Sequence, residues 1–500
     1  MQNLKKRRDG FFLGIDEGTT GTTAILFDWN FHPAGKGYCE VTQYHPGPDR
    51  SEHDPEELFA ALLEAVGTAM KEAGAKPADI LSVGLDHEGE SALLFEAGSG
   101  RALGRSLVWQ DRRTEARAAA LRGTHGPLFR ERTGLCPDSY FSATKMAWLL
   151  ENTPRAAELS RRGLLLCGNM DAYLLYRLTG GKSFFTDPST ASRTLLYNLK
   201  TKAFDPELCA VSGVTGVKLP GILDSAARFG MTDPAVFLGI RAPVGGLLCD
   251  QQAALFGQGC LWPGDLKMTF GTGAFLLMNT GEQPVFSKEG LITTVAYQLA
   301  GRTTYALDGG IYTAGSAMTF LRDNFAFLTS PREAGTVAAS AAPNGNLFFV
   351  PAFTGLGAPW QDPDARGMII GIDGSTTKAQ MVRAAEEAIA FQTADLTAAM
   401  SRAADQPILR LRCDGGAAGD AFLMQCTADF TGIPVEVPAM REATALGAAR
   451  MGAIGAGWAD PKEKIHLGAI RRFEPQLSEE EREARLAGWH RAVARAGHWA

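Results

Sequence analysis

Cysteine is sparse in this chain and regularly spaced nowhere. Its eight copies, Cys39, Cys136, Cys167, Cys209, Cys249, Cys260, Cys413 and Cys426, form no C-x-x-C pair. That spacing argues against a zinc site of the paired-cysteine kind and against a disulfide framework, and it suits reduced thiols in a cytosol. Long apolar runs are missing too. The basic start, MQNLKKRRDG, is followed only by the short FFLGI, so neither a signal peptide nor a membrane span is expected and the expected location is cytoplasmic. Nor is there an excess of positive charge: 49 Lys and Arg against 55 Asp and Glu leave a net −6, which offers nothing to nucleic acid or an anionic membrane. What is plentiful is glycine, 57 of 500 residues, in an otherwise ordinary globular composition of 45% hydrophobic and 21% charged residues. Such a chain has many tight turns and close backbone approaches, and its length suits two to four domains of roughly 100–200 residues each.

The stretch Leu13–Asp28, LGIDEGTTGTTAILFD, carries the clearest chemical pattern. Two apolar runs flank a Gly/Thr turn, which predicts a β-hairpin. Gly18 permits close approach of a ligand, and Thr19, Thr20, Thr22 and Thr23 add hydroxyls beside the turn amides, a donor set that suits an anion. Asp16 would repel a bare phosphate, so its presence makes sense with a mediating Mg²⁺. A plain hairpin with a glycine turn explains the same residues.

Downstream, Asp54 and Pro55 start a helix whose apolar positions Leu58, Phe59, Leu62, Leu63, Val66 and Met70 end at Gly74. His53 reads as a structural residue beside that cap. Ile80–Leu85 is a buried-strand pattern delivering Asp86-His-Glu-Gly-Glu90 at its carboxyl end, where α/β sheets gather ligands. Those acids could bind hydroxyls or metal, or form a solvated loop. A second strand, Ser106–Trp109, places an indole at its end, either over a ligand or in the core. Residues 114–180 read as mostly helical, with a loop presenting Tyr140, and Leu195–Asn198 ends a further strand. Pro243–Asp250 is a strand that ends in a carboxylate as a helix begins, so Asp250 is either a site residue, a helix N-cap, or both.

Met268–Asn279 repeats the strand, Gly/Thr turn and strand of the opening, and it begins the second half as residues 13–28 begin the first. A duplicated domain accounts for this, with a boundary near residues 251–260. Later come a helix through Ala314–Asp323, a Gly/Pro loop at Phe353–Trp360, a long helix over Gln380–Met400, and a strand ending in Asp414-Gly-Gly-Ala-Ala-Gly-Asp420. That last unit lets a nucleotide lie against backbone and a helix start. A capping box, Ser478-x-x-Glu481, opens a final helix with Leu486, Trp489 and Val493 inward.

Together these segments resemble the FGGY carbohydrate kinases, and among them the members that act on glycerol, from about residue 11 to 495. The resemblance rests on Ile15–Thr20, Val108–Arg113, Tyr140–Lys145, Ala191–Thr194, Asp250–Gly257, Phe270–Gly273, Pro351–Pro359, Asp414–Gly416 and Thr444–Ala448. It implies an α/β fold of two duplicated actin-like, ribonuclease H-type ATPase domains closing over a central cleft. Residues 11–254 would be the polyol- and phosphate-binding domain, and 255–500 the nucleotide-binding domain. The implied reaction is ATP-dependent phosphorylation of a small polyol, glycerol first, with a longer sugar alcohol or ketose as the alternative. The implied assembly is a homodimer or homotetramer.

By the same resemblance Asp250 is the general base, and Asp16 with Asp250 holds Mg²⁺. A carboxylate is ionised at neutral pH and can take the hydroxyl proton as the new bond forms. Thr19, Thr20, Gly21, Thr272, Gly315, Thr319, Gly416, Ala417 and Asp420 would meet ATP. Glu90, Tyr140, Asp250 and Gln251 would take the polyol hydroxyls, with Trp109 and Phe275 walling its carbons. Retention of a base, a polyol set and two phosphate turns argues against a non-catalytic sugar- or nucleotide-binding regulator and against a chaperone-type ATPase.

Four departures stand out. Where the glycerol-acting members read Asn-Gln-Arg-Glu-Thr, this chain has His87-Glu88-Gly89-Glu90-Ser91. Gly89 in place of the substrate-binding Arg should enlarge the pocket and remove a cation, leaving His87, a water or a longer substrate to fill the space. Glu17 replaces a usual Gln and Thr23 a frequent Arg, which predicts weaker MgATP binding. Residues 228–241 lack the Gly/Lys-rich loop that binds fructose 1,6-bisphosphate, so no such regulation is expected.

Overall fold

Glycine and threonine at the turn, with β-branched and aromatic residues on either side, make the opening hairpin: β1 (Phe11–Gly18) pairs antiparallel with β2 (Gly21–Phe27) through Gly18 opposite Gly21. These come from a computed structural model that describes residues 10–343 and 345–500. The basic start, on which the signal-peptide expectation rested, lies outside the described residues. Among the described residues no helix is long and apolar enough to cross a membrane.

The chain forms two compact units. The first runs to Gly259 and also takes Thr294–Tyr305 and Glu442–His466, and the second holds Cys260–Thr293, Ala306–Arg441 and Leu467–Ala500. In the first unit, β3 (Pro33–Glu40), β4 (Ile80–His87), β5 (Ala226–Met231) and β6 (Pro243–Cys249) join the hairpin in a sheet of order β5-β6-β4-β1-β2-β3. β1, β4 and β6 are mutually parallel, and β2, β3 and β5 are antiparallel to their neighbours. In the second unit, β7 (Leu266–Phe270), β8 (Ala274–Gly281), β9 (Ile292–Leu299), β10 (Arg302–Ile311), β11 (Leu411–Gly415), β12 (Val435–Pro438) and β13 (Ile470–Phe473) run in the order β9-β10-β8-β7-β11-β12-β13. There the hairpin β7–β8 is again followed, on the β7 side, by two parallel strands and an antiparallel edge. The repeat read from two Gly/Thr turns is therefore a repeat of whole-sheet topology.

Local signals hold where they are strong. Helix Pro55–Ala73 has Asp54 as its cap, accepting from the Glu56 amide at 2.9 Å, and stops at Gly74 with φ +64°. The Ser478/Glu481 box caps helix Glu479–Ala496. Weaker runs shorten: the strand at Ser106–Trp109 is only Ser106–Leu107, leaving Trp109 in a loop, and Leu195–Asn198 reduces to Tyr197–Asn198. The helical stretch 114–180 is broken by strand Leu165–Gly168.

Close packing of helix Ala443–Gly455 onto the first sheet depends on absent side chains. A Cβ on Gly84 would lie 1.7 Å from the Ala448 carbonyl oxygen, and one on Gly14 would lie 2.2 Å from that of Ala445. The helix contributes its own small residues, since a Cβ on Gly447 would meet the Ala253 carbonyl oxygen at 2.0 Å. A helix this near the sheet covers β1, β4 and β6, whose carboxyl ends carry the polar residues described below.

The second unit is built around helix Lys378–Ala404, where Phe391 stacks on Phe430 (4.0 Å) and on Trp489 (5.4 Å). Asp395 on the same helix accepts from Trp489 Nε1 at 2.8 Å and Trp360 Nε1 at 3.0 Å, and pairs with His490 Nε2 at 2.7 Å.

Two outcomes follow from this packing. Gly84→Ala should destabilise the chain by about 1–3 kcal/mol or more, because the Ala448 carbonyl is backbone and cannot swing aside. Gly67→Ala, whose Cβ meets only Leu238 at 3.8 Å in helix Pro55–Ala73, should be neutral or stabilising by up to about 1 kcal/mol; urea unfolding of both variants measures the difference. The hydrogen bond to the Asp395 carboxylate raises the His490 pKa, against a smaller opposing effect of burial. That contribution is therefore complete below the ordinary histidine value of about 6.5 and is lost as pH rises through the higher folded value. The Tm gap between the native chain and His490→Gln should be widest below a pH of about 6.5 and close at alkaline pH.

Candidate active site

Parallel pairing fixes what stands at the sheet's carboxyl edge in the first unit. Asp16 of β1 is in register with Asp86 of β4, and Asp86 with Leu248 of β6, two residues before Asp250. Asp250 is the first residue of helix Asp250–Gly257, and Cys249 occupies the cap position, so the N-cap explanation of Asp250 does not hold. Its Oδ1 accepts from the Gln251 amide at 2.6 Å and its Oδ2 from Gln251 Nε2 at 3.2 Å. The strand end before it is pinned by the Cys249 amide donating to Ser189 Oγ at 2.9 Å.

Burial, then the charge of Asp250, pushes the Asp16 carboxyl up to about 7, against a hydrogen bond with Asp86 that lowers it. Asp86 is raised well above the ordinary range by burial, then by Asp16 and Asp250. The Asp16 contact aside, no donor reaches either Asp86 oxygen among the described residues. Half-buried Asp16 and buried Asp86 thus resist charging beside a third carboxyl, Asp250, an oxygen-donor set of the kind that divalent cations take. Sequence reading selected Asp16 and Asp250 and left Asp86 in an undecided acidic cluster. The signal that singles it out is its register with Asp16.

Beside these lies a polar pocket wall. Glu90 is buried and takes Arg193 Nε at 2.5 Å, and Arg193 Nη2 donates to Tyr140 Oη at 3.3 Å. Tyr140 meets Trp109 edge-on, ring centroids 6.0 Å apart. Trp109 Nε1 donates to Thr19 Oγ1 at 3.0 Å, and Thr19 donates to Glu88 Oε2 at 2.8 Å. Lys145 secures the Tyr140 loop by donating to the carbonyls of Ser139, Tyr140 and Phe141 at 2.8, 2.6 and 3.0 Å, and burial lowers its pKa to about 8. Asn169 Nδ2 holds the preceding loop at the carbonyls of Gly89 (2.8 Å) and Ser91 (2.9 Å). Thr20 is exposed at the hairpin turn, next to Gly21.

The expected pocket enlargement at Gly89 is overturned. A Cβ there would lie 2.2 Å from Cys249 Sγ and 3.3 Å from Arg193 Cγ, so the position is already filled by neighbours. A guanidinium is present all the same, supplied by Arg193 and directed at Glu90. His87 does not take the missing role, because its Nε2 is turned to Thr190 Oγ1 (2.9 Å) and Asp171 Oδ1 (3.7 Å) in the core. Glu17 is likewise not beside an open phosphate site. Side chains alternate along a strand, so it points away from the Asp16 face, and it is fully buried. Burial, then Glu88, raises its pKa well above the ordinary range. His53, read as a cap-side residue, is completely buried 3.6 Å from Glu88 Oε1. Burial pushes the Glu88 carboxyl up, but His53, Ser91 and Thr19 together hold it below its ordinary value.

In the second unit the predicted nucleotide residues gather about the β7–β8 turn. Thr272 is exposed at its tip, and the Thr272 carbonyl accepts from the amides of Ala314 (3.0 Å) and Ser316 (3.1 Å), while that of Gly271 accepts from Gly315 (3.1 Å). These contacts dock the start of helix Gly315–Phe325 on the turn, and Gly315 must be glycine because a Cβ would lie 2.7 Å from the Gly271 oxygen. Thr319 is one turn further on, its hydroxyl 3.5 Å from the Gly315 carbonyl. Gly415, at φ +85°, abuts Phe270, so Gly416 and Ala417 follow directly beside the hairpin, with open space over Gly416. Phe275 lies on β8 against Gly310. Asp420 also serves the fold, because its Oδ1 caps helix Ala421–Thr431, accepting from the amides of Phe422 (2.9 Å) and Leu423 (3.2 Å).

Comparison with known proteins identifies the family. Residues 11–257 match the FGGY family of carbohydrate kinases, N-terminal domain, and residues 266–456 the C-terminal domain of the same family. The chain is 45% identical over 500 residues to a glycerol kinase of Dechloromonas aromatica, covering 99% of each chain. It is 42% identical over 492 residues to glycerol kinase 2 of Thermotoga maritima, covering 98% of this chain and 99% of the other. Among solved structures, Plasmodium falciparum glycerol kinase with ADP superposes with a TM-score of 0.90 at 30% identity, covering 97% of this chain and 98% of that one.

The filled space at Gly89 yields a direct test. Gly89→Ala should cost about 1–3 kcal/mol by overpacking, and adding Cys249→Ala should recover most of that loss in a double-mutant cycle followed by thermal unfolding. Full stability of Gly89→Ala alone would show that the space is open.

Proposed function

The chain belongs to the FGGY family of carbohydrate kinases, and from that premise we propose that it transfers the γ-phosphoryl group of ATP to glycerol, giving sn-glycerol 3-phosphate. The observation that carries the chemistry is Asp250 on the first turn of its helix, with Asp16 and Asp86 at the ends of the adjoining parallel strands. Phosphoryl transfer needs positioning, charge neutralisation and a proton acceptor for the attacking hydroxyl. In this reading Asp250 accepts that proton. Glu90, Gln251 and the Tyr140 hydroxyl bind the polyol hydroxyls, and Trp109 and Phe275 cover its carbons. Arg193 holds the Glu90 carboxylate oriented and compensates its charge, as a buried carboxylate requires.

Thr19, Thr20 and Gly21 contact the transferred phosphate. Thr272, Gly315, Thr319, Gly416 and Ala417 bind the nucleotide. Asp420 enters this scheme through its cap, which sets the helix that follows the Gly-Gly turn. Mg²⁺, held by Asp16 and Asp250 with Asp86 as a third carboxylate, supplies neutralisation of the triphosphate when bound. We assign polyol binding to the first unit and nucleotide binding to the second, so the expected division into 11–254 and 255–500 is amended by Thr294–Tyr305 and Glu442–His466, which pack with the first unit. We place the enzyme in the cytoplasm as a homodimer or homotetramer, a reading supported by its scattered cysteines and by the family resemblance.

The longer-polyol alternative drew on an enlarged pocket at Gly89, and the packing of Cys249 and Arg193 removes that motive. An ADP-release assay over C3–C5 polyols and ketoses tests the assignment: turnover should be highest with glycerol, and Asp250→Asn should lower kcat by roughly 10²–10⁴-fold with the fold intact by circular dichroism. Turnover confined to a four- or five-carbon substrate would refute glycerol as acceptor, and an Asp250→Asn enzyme at full rate would refute the base.

A further inference from the structure

Behind the hairpin, on the side of β1 opposite Asp16, three side chains from separate segments meet without an evident purpose in phosphoryl transfer. Glu17 comes from β1, His53 from the residues just before helix Pro55–Ala73, and Glu88 from the loop after β4. All three are buried, and one oxygen or nitrogen from each lies within 4.8 Å of the others. Both Glu17 oxygens and both His53 ring nitrogens lack a hydrogen-bond partner among the described residues. So does the buried hydroxyl of Thr22, directly across from Glu17 in the β1–β2 register. Unsatisfied polar atoms of this number in one buried place are costly unless something binds them.

We propose that Glu17, His53 and Glu88 form a buried site for one divalent first-row transition cation, of which Zn²⁺ is the representative. Two carboxylates and an imidazole around a dication are neutral overall, which removes the penalty of burying either acid charged. An imidazole in the donor set selects for Zn²⁺ and its neighbours over Mg²⁺, which favours oxygen alone. In a tetrahedral zinc site with bonds of about 2.0–2.2 Å, ligand atoms lie roughly 3.3–3.6 Å apart. The His53 Nδ1 to Glu88 Oε1 separation of 3.6 Å falls at that spacing. Glu88 is itself oriented by hydroxyl donors, Thr19 at 2.8 Å and Ser91, the outer contacts that metal-binding carboxylates commonly have. Through Thr19 the site reaches Trp109 Nε1 at 3.0 Å, so the cation would act as a positioning element for the polyol wall.

The full-length protein, produced in zinc-supplemented culture and gel-filtered in millimolar Mg²⁺, should carry one Zn²⁺ per chain by elemental analysis. Protein grown with Co²⁺ should show visible ligand-field bands. Glu17→Gln and Glu88→Gln should each lower metal occupancy at least tenfold, whereas Asp250→Asn should retain it, separating this site from the catalytic carboxylates. Absence of stoichiometric metal and of Co²⁺ bands in the native chain overturns the proposal, as does undiminished metal content in the two glutamine variants. The native chain decides the matter alone if those variants do not fold.

Discussion

Parallel pairing of β1, β4 and β6 is the constraint on which the rest of the site depends. Strands that run in one direction end on one edge, so residues separated by 70 and 164 positions in the chain, Asp16, Asp86 and Asp250, arrive together through the register of the sheet. The three carboxyls repel one another, and the protein bears that repulsion through the sheet's hydrogen bonds and its buried apolar core. Glycine at positions 14 and 84 lets helix Ala443–Gly455 lie nearly against the strands, which stiffens the face from which the aspartates project.

Around that edge the charges are apportioned by environment. Glu90 keeps a guanidinium at 2.5 Å, Lys145 gives its ammonium to three carbonyls, and Asp16 and Asp86 hold on to protons more tightly than exposed acids do. Burial raises the Glu90 carboxyl as well, and the opposing pull of Arg193 only partly offsets it. On the other face of β1, Glu88 is stabilised as a carboxylate by His53 while Glu17 is not, and this asymmetry sets that cluster apart from the catalytic one.

Reading the chain as a sequence went furthest where local rules dominate. Asp54-Pro55 to Gly74 is a complete helix because capping, proline and left-handed glycine each act within one turn. Both Gly/Thr hairpins and the strand-to-helix junction at Asp250 are local in the same sense. The errors share a different cause. Gly89 looked like a vacated arginine site, yet Cys249 and Arg193, 160 and 104 residues further on, already occupy the space. Asp420, expected at the nucleotide, has in addition a capping role that only the fold shows, since two amides of the following helix meet its Oδ1. His53 looked like a cap neighbour because nothing near it in the chain announces Glu17 or Glu88.

What the amino-acid order determined by itself is therefore the set of elements, their repetition and the residue types that phosphoryl transfer requires. Periodicity, turn chemistry and capping are set within a few residues, and the family resemblance orders the motifs. Only the tertiary structure decided which of those residues share a site. Strand register selected Asp86, packing closed the space over Gly89, and burial determined which acids keep their protons, since desolvation and through-space charge depend on neighbours that are distant in the chain.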